Sequence, residues 1–388
     1  MRAVYAESDS AAAAAAEANS AARPQALNQA NVSPSALIYN RSMTETSVSA
    51  AKLTGFAAAC LEKLGLAAAD ARLVAETLVE SNLRGVDSHG VVRLPHYAKR
   101  LRNGTVNPRP RISVQRTGAS TAVVEGDRGM GQLVAVRAMQ EAISLARESG
   151  VGAVGARNSS HCGACAYFVE LAAREGMAGI ALTHTDSIMV PPGMKRILLG
   201  SNPIAFGAPT AGGPPLVIDM STTHAAWGKV IVAREEGKSI PPDWGVNAEG
   251  RPTTDPHSVV GLALSGAHKG YALALMVEVL CAQLMGLPFG RHVTKMYGEL
   301  DKPRNLGHFM LALDVGRFVD PVLFGSKVSQ LLEEARAEEP SDPARAPLAP
   351  GDPERLTAER RRRVGVPLGA AVFAELNALA TELGVTPL

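Results

Sequence analysis

The sequence has 388 residues, 46% apolar and 20% charged, so it can bury a sizeable core and is neither disordered throughout nor fibrous. Thirty-nine Lys and Arg against 37 Asp and Glu leave a net charge of +2, too small a footprint for nucleic acid or an anionic membrane, and the expected partner is a small molecule. Four cysteines in a chain this long are too few for a disulfide scaffold and point to a reducing compartment, the cytoplasm.

Residues 1–43 carry an alanine run from Ala11 to Ala16 among Ser, Asn and Gln and read as a disordered extension. Glu7, Asp9 and Glu17 interrupt the pattern that a secretory or transit peptide needs, and Met43 offers an alternative start. Residues 47 to 102 read as helices, because Leu53, Phe56, Cys60 and Leu64 recur at spacings of three and four and the pattern repeats across Ala71 to Leu83. From Ala122 onward β-like runs alternate with helical ones, an α/β pattern. Strands are expected at Ala122 to Glu125, Gly152 to Ala156, Ala178 to Thr183, Leu216 to Met220 and His308 to Asp314. Helices are expected at Gly131 to Ser149, Tyr167 to Arg174, Lys269 to Met285, Pro321 to Ala337 and Gly369 to Leu383. The run from Gly270 to Gly290 approaches the length of a membrane span, but Glu278 and Gln283 inside it favour a buried helix of a large domain. The proline-rich stretch from Glu338 to Pro353 reads as an extended loop or arm.

The glycine cluster Gly126-Asp-Arg-Gly129-Met-Gly131 has the wrong spacing for a Rossmann fingerprint, and no phosphate-cradling loop of the Walker type is present. His161-Cys162-Gly-Ala-Cys165 places a histidine beside a C-x-x-C pair, which could hold zinc or exchange thiols; Cys60 and Cys281 are remote and lie in helical patterns, and a non-enzymatic metal or redox protein is the reading from a different class. His161 itself follows a strand and precedes a helix, a place where side chains face clefts and where an imidazole serves as acid or base. Asp87-Ser88-His89 is not expected to form a hydrolytic triad, since neighbours on one turn point apart. In helical register His89, Arg93 and Tyr97 share one face, either a solvated polar surface or a site with proton-handling groups and a guanidinium fork for a carboxylate. Lys269 and Arg304 could bind an anion or simply be surface cations.

The run Arg84-Gly-Val-Asp-Ser-His89-Gly-Val-Val-Arg93-Leu-Pro-His-Tyr97 resembles the signature of the malate/L-lactate dehydrogenase family, NAD(P)-dependent oxidoreductases of non-Rossmann fold. Ser160-His161-Cys-Gly-Ala, Leu199-Gly-Ser-Asn202-Pro-Ile-Ala, Pro252-Thr-Thr-Asp255-Pro and His268-Lys269-Gly-Tyr271 resemble later blocks of the family, in order, so the likeness spans roughly residues 47 to 385. Within the family, Ala226-Trp-Gly-Lys229-Val, Ser239-Ile-Pro-Pro-Asp-Trp244, Gly286-Leu-Pro-Phe-Gly-Arg291, Met296-Tyr297 and Arg304-Asn-Leu-Gly307 are most similar to the ureidoglycolate-oxidising members. Ala272, Met194-Lys195 and Thr185 depart from that pattern.

The resemblance implies a mixed α/β fold with an atypical sheet, a helical N-terminal part (44–120) of a substrate and dimer domain, a central α/β cofactor-binding domain (121–315), a C-terminal helical arm (316–388) packing back on the first part, and an intertwined homodimer. It further implies that His161 accepts the proton, that Arg93 grips the substrate carboxylate with His89, Ser88 and Tyr97 beside it, and that Arg304 meets the distal polar part of the substrate. Thr185, Asp219, Met220, Ser221, Lys269, Gly351, Asp352 and Pro353 would bind NAD, or NADP, and no metal is implied, the C-x-x-C pair being a coincidence. The expected reaction is oxidation of (S)-ureidoglycolate to oxalurate, with another 2-hydroxy acid (malate, lactate, sulfolactate) or reduction of an imine acid as alternatives.

Overall fold

The computed structural model describes residues 45–388; the expected extension over 1–43 lies outside the described residues. Near the N-terminus β1 (Thr46–Val48) leads into α1 (Ala50–Lys63), capped by Ser49, whose side chain accepts from the Lys52 N–H. Helices α2 (Ala68–Leu83) and α3 (Leu94–Arg102) follow. Leu53, Leu61, Leu78 and Leu94 are fully buried where these helices meet, each burial being worth roughly 1.5–3 kcal/mol. From the other end of the chain, α9 (Asp352–Val364) leads to β11 (Val366–Leu368), which pairs antiparallel with β1, and α10 (Ala370–Leu383) joins the same apolar core.

The second core belongs to a seven-stranded sheet in the order β2 (Ser113–Arg116), β3 (Thr121–Glu125), β4 (Val151–Ser159), β10 (Leu306–Asp314), β5 (Met177–Thr183), β6 (Ile204–Ala208), β7 (Leu216–Met220). Only β3 and β4 run parallel; every other neighbouring pair is antiparallel, so the sheet is mixed and not doubly wound. Helix α4 (Gly131–Ser149) packs on it through Val134, Ala138, Ala142 and Ala146, a buried stripe of small residues at every fourth position that lets its axis approach the strands, and α5 (Ala166–Arg174) lies beside it. A smaller unit carries α6 (Trp227–Glu235), the ribbon β8 (Gly245–Val246) with β9 (Gly261–Leu262), and α7 (His268–Glu278); α8 (Pro321–Ala337) follows β10. Residues 338–347 form a separate irregular segment in which the Arg345 N–H donates to the Asp342 carbonyl.

Three expectations are corrected. The run 47–102 is not helical throughout: two 3-10 turns, Asp87–His89 and Val91–Arg93, separated by extended Gly90, interrupt it, so His89 and Arg93 do not share one α-helical register with Tyr97. The helix expected over 269–285 ends at Glu278 and continues as a π-helical turn, Val279–Gln283. Glu278 is fully buried there, accepting from Asn202 Nδ2 and from the Gly290 N–H, both at 2.6 Å; among the described residues no helix is long and apolar enough to cross a membrane. Finally, Asp352 and Pro353, expected in an extended loop, already open helix α9, with proline in the first turn where its missing N–H costs nothing.

Candidate active site

The loop between α2 and α3 is held from both sides. Asn82 donates from Nδ2 to Asp87 Oδ1 (2.6 Å) and accepts from the Val91 N–H (2.9 Å), while Arg361 of α9 donates to both Asp87 oxygens at 2.7 and 3.0 Å. Asp87 is thereby committed to fixing the loop and turned away from Ser88 and His89, whose Oγ and Nδ1 lie 3.0 Å apart. The Ser88 carbonyl in turn accepts from Arg93 Nε at 2.5 Å, which directs the outer edge of the guanidinium to Tyr297, whose hydroxyl accepts from Nη1.

His161 stands just beyond β4, and its loop is pinned against the start of α4: Ser160 Oγ accepts from the Gly131 N–H and donates to the Gly129 carbonyl, both at 3.0 Å. A Cβ on Gly131 would lie 2.3 Å from the Ser160 carbonyl oxygen and 2.5 Å from the His161 carbonyl, so only glycine permits this approach. The His161 ring bonds through Nδ1 to Tyr97 Oη (2.7 Å), and Gln132 Nε2 donates to the same oxygen (3.1 Å). His89 stacks on His161 with ring centroids 5.6 Å apart and 21° between planes. Opposite runs the segment 294–304: Arg100 of α3 donates to the carbonyls of Lys295 (2.9 Å), Met296 (2.7 Å) and Lys302 (3.1 Å), fixing the stretch that carries Tyr297. Arg304, 3% exposed, pairs with Asp186 and donates from Nε to the Thr294 carbonyl (3.3 Å), and its Nη1 is buried with no protein partner.

The electrostatics keep the imidazoles neutral. Burial, then the charges of Arg93 and of its neighbours His89, Arg304 and His96, hold His161 well below the ordinary histidine range. Burial and Arg93 bring His89 down to about 4, while burial pushes the Tyr97 hydroxyl up. The site thus places a neutral imidazole between two guanidinium groups, one of them already paired with a carboxylate.

The remaining residues singled out in the sequence lie at the ends of neighbouring elements. Asp219 is the last residue but one of β7; its Oδ2 accepts from the Ala166 N–H (2.8 Å) at the start of the helix that follows His161, and the surrounding protein pushes its carboxyl up to about 6 although its outer edge meets solvent. Met220 beside it is half exposed, and Ser221 bonds to Thr223 (2.5 Å). Lys269 stands exposed in the first turn of α7, and the Ser265 N–H just before that turn donates to the Thr222 carbonyl (3.0 Å). Gly351 is left-handed, φ 88°, and a Cβ there would lie 2.5 Å from the Val217 carbonyl, two residues before Asp219. Both oxygens of Asp352 are taken by Arg336 at 2.8 Å, so its carboxylate anchors the start of α9. Thr185 Oγ1 accepts from the Ser201 N–H (3.0 Å) and its own N–H donates to Asn202 Oδ1 (3.1 Å), joining the end of β5 to the loop before β6.

Cys162 and Cys165 are free and buried, and among the described residues no group of three or more His, Cys, Asp or Glu side chains is arranged to hold a metal. Sequence reasoning did not single out Gln132, His96 or Asp186, because nothing about an isolated glutamine, histidine or aspartate marks its spatial neighbours. Tyr297 was visible as part of a block and not as a partner of Arg93.

The family model for malate/L-lactate dehydrogenase matches residues 48–377. The malate dehydrogenase of Pyrococcus horikoshii is 38% identical over 344 residues, 86% of this chain and 94% of that protein. The ureidoglycolate dehydrogenase (NAD(+)) of Escherichia coli K12 is 39% identical, covering 80% of this chain and 89% of its own length. The solved sulfolactate dehydrogenase of Methanocaldococcus jannaschii superposes with a TM-score of 0.83 at 33% identity, over 88% of this chain and 98% of that one. With a family model spanning most of its length and relatives covered almost end to end, the chain belongs to the malate/L-lactate dehydrogenase family of oxidoreductases acting on a CH–OH group.

Proposed function

We propose that the protein oxidises (S)-ureidoglycolate to oxalurate with NAD, His161 receiving the hydroxyl proton. The observation that carries this reading is the pairing of Arg304 with Asp186 beside a neutral His161. Arg93 presents the fork for the carboxylate that every 2-hydroxy acid carries. The distal position is different: Arg304 already has a carboxylate counter-ion, so its unpartnered Nη1 suits a neutral acceptor such as a ureido carbonyl, whereas the second anion of malate or sulfolactate would meet the charge of Asp186. The blocks Ala226–Val230, Ser239–Trp244 and Gly286–Arg291 point to the same substrate.

Dehydrogenases of this family use NAD or NADP. The residues present fit such a group: half-exposed Met220 offers an apolar face, exposed Lys269 in the first turn of α7 offers a cation for a phosphate, and Gly351 keeps the chain tight against β7 where a side chain would not fit. When bound, the cofactor takes the hydride from the carbon that bears the hydroxyl. The chain's own residues do the rest. Arg93 fixes which face of that carbon is presented, and His161, with Nδ1 engaged by Tyr97, offers its other ring nitrogen, Nε2, to the hydroxyl.

We also infer a homodimer, since Phe318, Val322, Leu331, Met276, Val279 and Leu284 stand exposed on α7, α8 and the turns beside them and a second copy would cover them, and a reducing, cytoplasmic setting, since the four cysteines are free. The test of the reading is a substrate panel of (S)-ureidoglycolate, L-malate, L-lactate and sulfolactate with NAD and NADP, in wild type and His161→Asn. Highest kcat/KM for ureidoglycolate and loss of turnover by ~10²–10⁴-fold in the variant support it. Turnover of malate or sulfolactate without ureidoglycolate overturns the substrate, and an active His161→Asn overturns the base.

A further inference from the structure

Gln132 is the second residue of α4 and fully buried, yet only half of its amide is used: Nε2 donates to Tyr97 Oη, and Oε1 has no partner. An unpaired buried carbonyl costs ~1–3 kcal/mol, so the position asks for a reason. An amide N–H can only donate, so Tyr97 Oη must accept from Gln132; its own hydrogen then points to the one acceptor within reach, His161 Nδ1 at 2.7 Å. With Nδ1 accepting, the neutral ring carries its proton on Nε2, the nitrogen left for the substrate. In that form Nε2 is a donor toward the substrate and cannot take the alcohol proton.

Turning the amide over inverts every donor in the chain. Oε1 then accepts from the Tyr97 hydroxyl, Tyr97 Oη accepts from His161 Nδ1–H, and Nε2 stands bare to receive the alcohol proton. The orphaned oxygen is therefore the acceptor that lets Nε2 take the alcohol proton in oxidation, and the imidazolium so formed keeps its Nδ1–H on Tyr97 and returns the Nε2 proton in the reverse direction. We propose that Gln132 is a positioning residue that sets, through Tyr97, which nitrogen of His161 carries the proton. This rests on the reading of His161 as the group that moves the proton.

The test is the nitrogen-15 spectrum of His161 in protein labelled at histidine, without added cofactor, assigned with His161→Asn. Wild type should show the neutral ring protonated at Nε2. Gln132→Glu at pH 9, where an ionised carboxylate can only accept, should move the proton to Nδ1. Gln132→Met should lower kcat at least tenfold on the best substrate of the panel while KM changes less than twofold. An Nδ1–H ring in the wild type, an unchanged ring in Gln132→Glu, or a wild-type kcat in Gln132→Met overturns the proposal. The wild-type spectrum needs no variant to fold. Activity surviving in His161→Asn would instead remove the base reading, whatever the spectra show.

Discussion

Replacing Gly131 by alanine tests how closely the histidine loop must be placed. The new Cβ would lie 2.3 Å from the Ser160 carbonyl oxygen and 2.5 Å from both the carbonyl carbon and oxygen of His161. Ordinary carbon contacts begin near ~3.5 Å, so the loop has to retreat by about 1 Å, taking the imidazole with it. Overpacking of this kind costs about 1–3 kcal/mol of stability. A 1 Å misplacement of a reacting group costs ~10²-fold in rate, equivalent to about 2.7 kcal/mol of barrier. The assay is kcat on the best substrate of the panel, alongside thermal unfolding and binding of NADH by fluorescence. Gly55→Ala is the control: it sits within α1 with nothing inside 4 Å of the added carbon, and should leave kcat unchanged and add up to ~1 kcal/mol of stability. A Gly131→Ala enzyme with kcat within threefold of wild type would refute the claim that this contact places the base.

Arg93→Lys should raise KM for the hydroxy acid at least tenfold, since a point charge cannot reproduce the planar fork, while NADH binding stays as in wild type; steady-state kinetics and fluorescence titration check it. His89, His96 and His184 are lowered from 6.5 to about 4, 3 and 3, chiefly by burial. They are neutral when folded and protonated when unfolded below pH 6.5, so their stabilising effect is complete above that pH and fades as pH falls through the window from about 6.5 to about 3. Together with His161, which burial also holds well below the ordinary range, they should remove about 5 kcal/mol between pH 6 and 5, read as a falling urea midpoint, and His184→Asn should flatten that slope by about a quarter. Asn202→Ala strands the Thr185 N–H and deprives Glu278 and the Ala274 carbonyl of a donor, and should cost about 3 kcal/mol in chemical denaturation; an unchanged midpoint would show that water replaces the amide.

The strands around β4, β5, β7 and β10 and the helices α4, α5, α8 and α10 are legible because short apolar runs or three-and-four spacings state their period openly. Strand β6, Ile-Ala-Phe-Gly-Ala, was missed since small residues needed to admit α5 dilute its β signal, and α9 was missed since its Arg-rich run shows almost no apolar stripe. Helical register groups His89, Arg93 and Tyr97; the structure does bring them together, but by two tight turns and the Asn82–Asp87 bond, which spacing alone does not reveal. The contributions of Gln132, Asp186 and Tyr297 arise from contacts across 35, 118 and 204 positions of chain, beyond the reach of any local pattern.

The grip of Arg361 on Asp87 ties the loop that carries His89 and Arg93 to a residue 274 positions further along the chain. During synthesis that loop therefore stays without its second clamp until the stretch carrying Arg361 has been made. A chain that stops before Arg361 would leave Asp87 held by Asn82 alone.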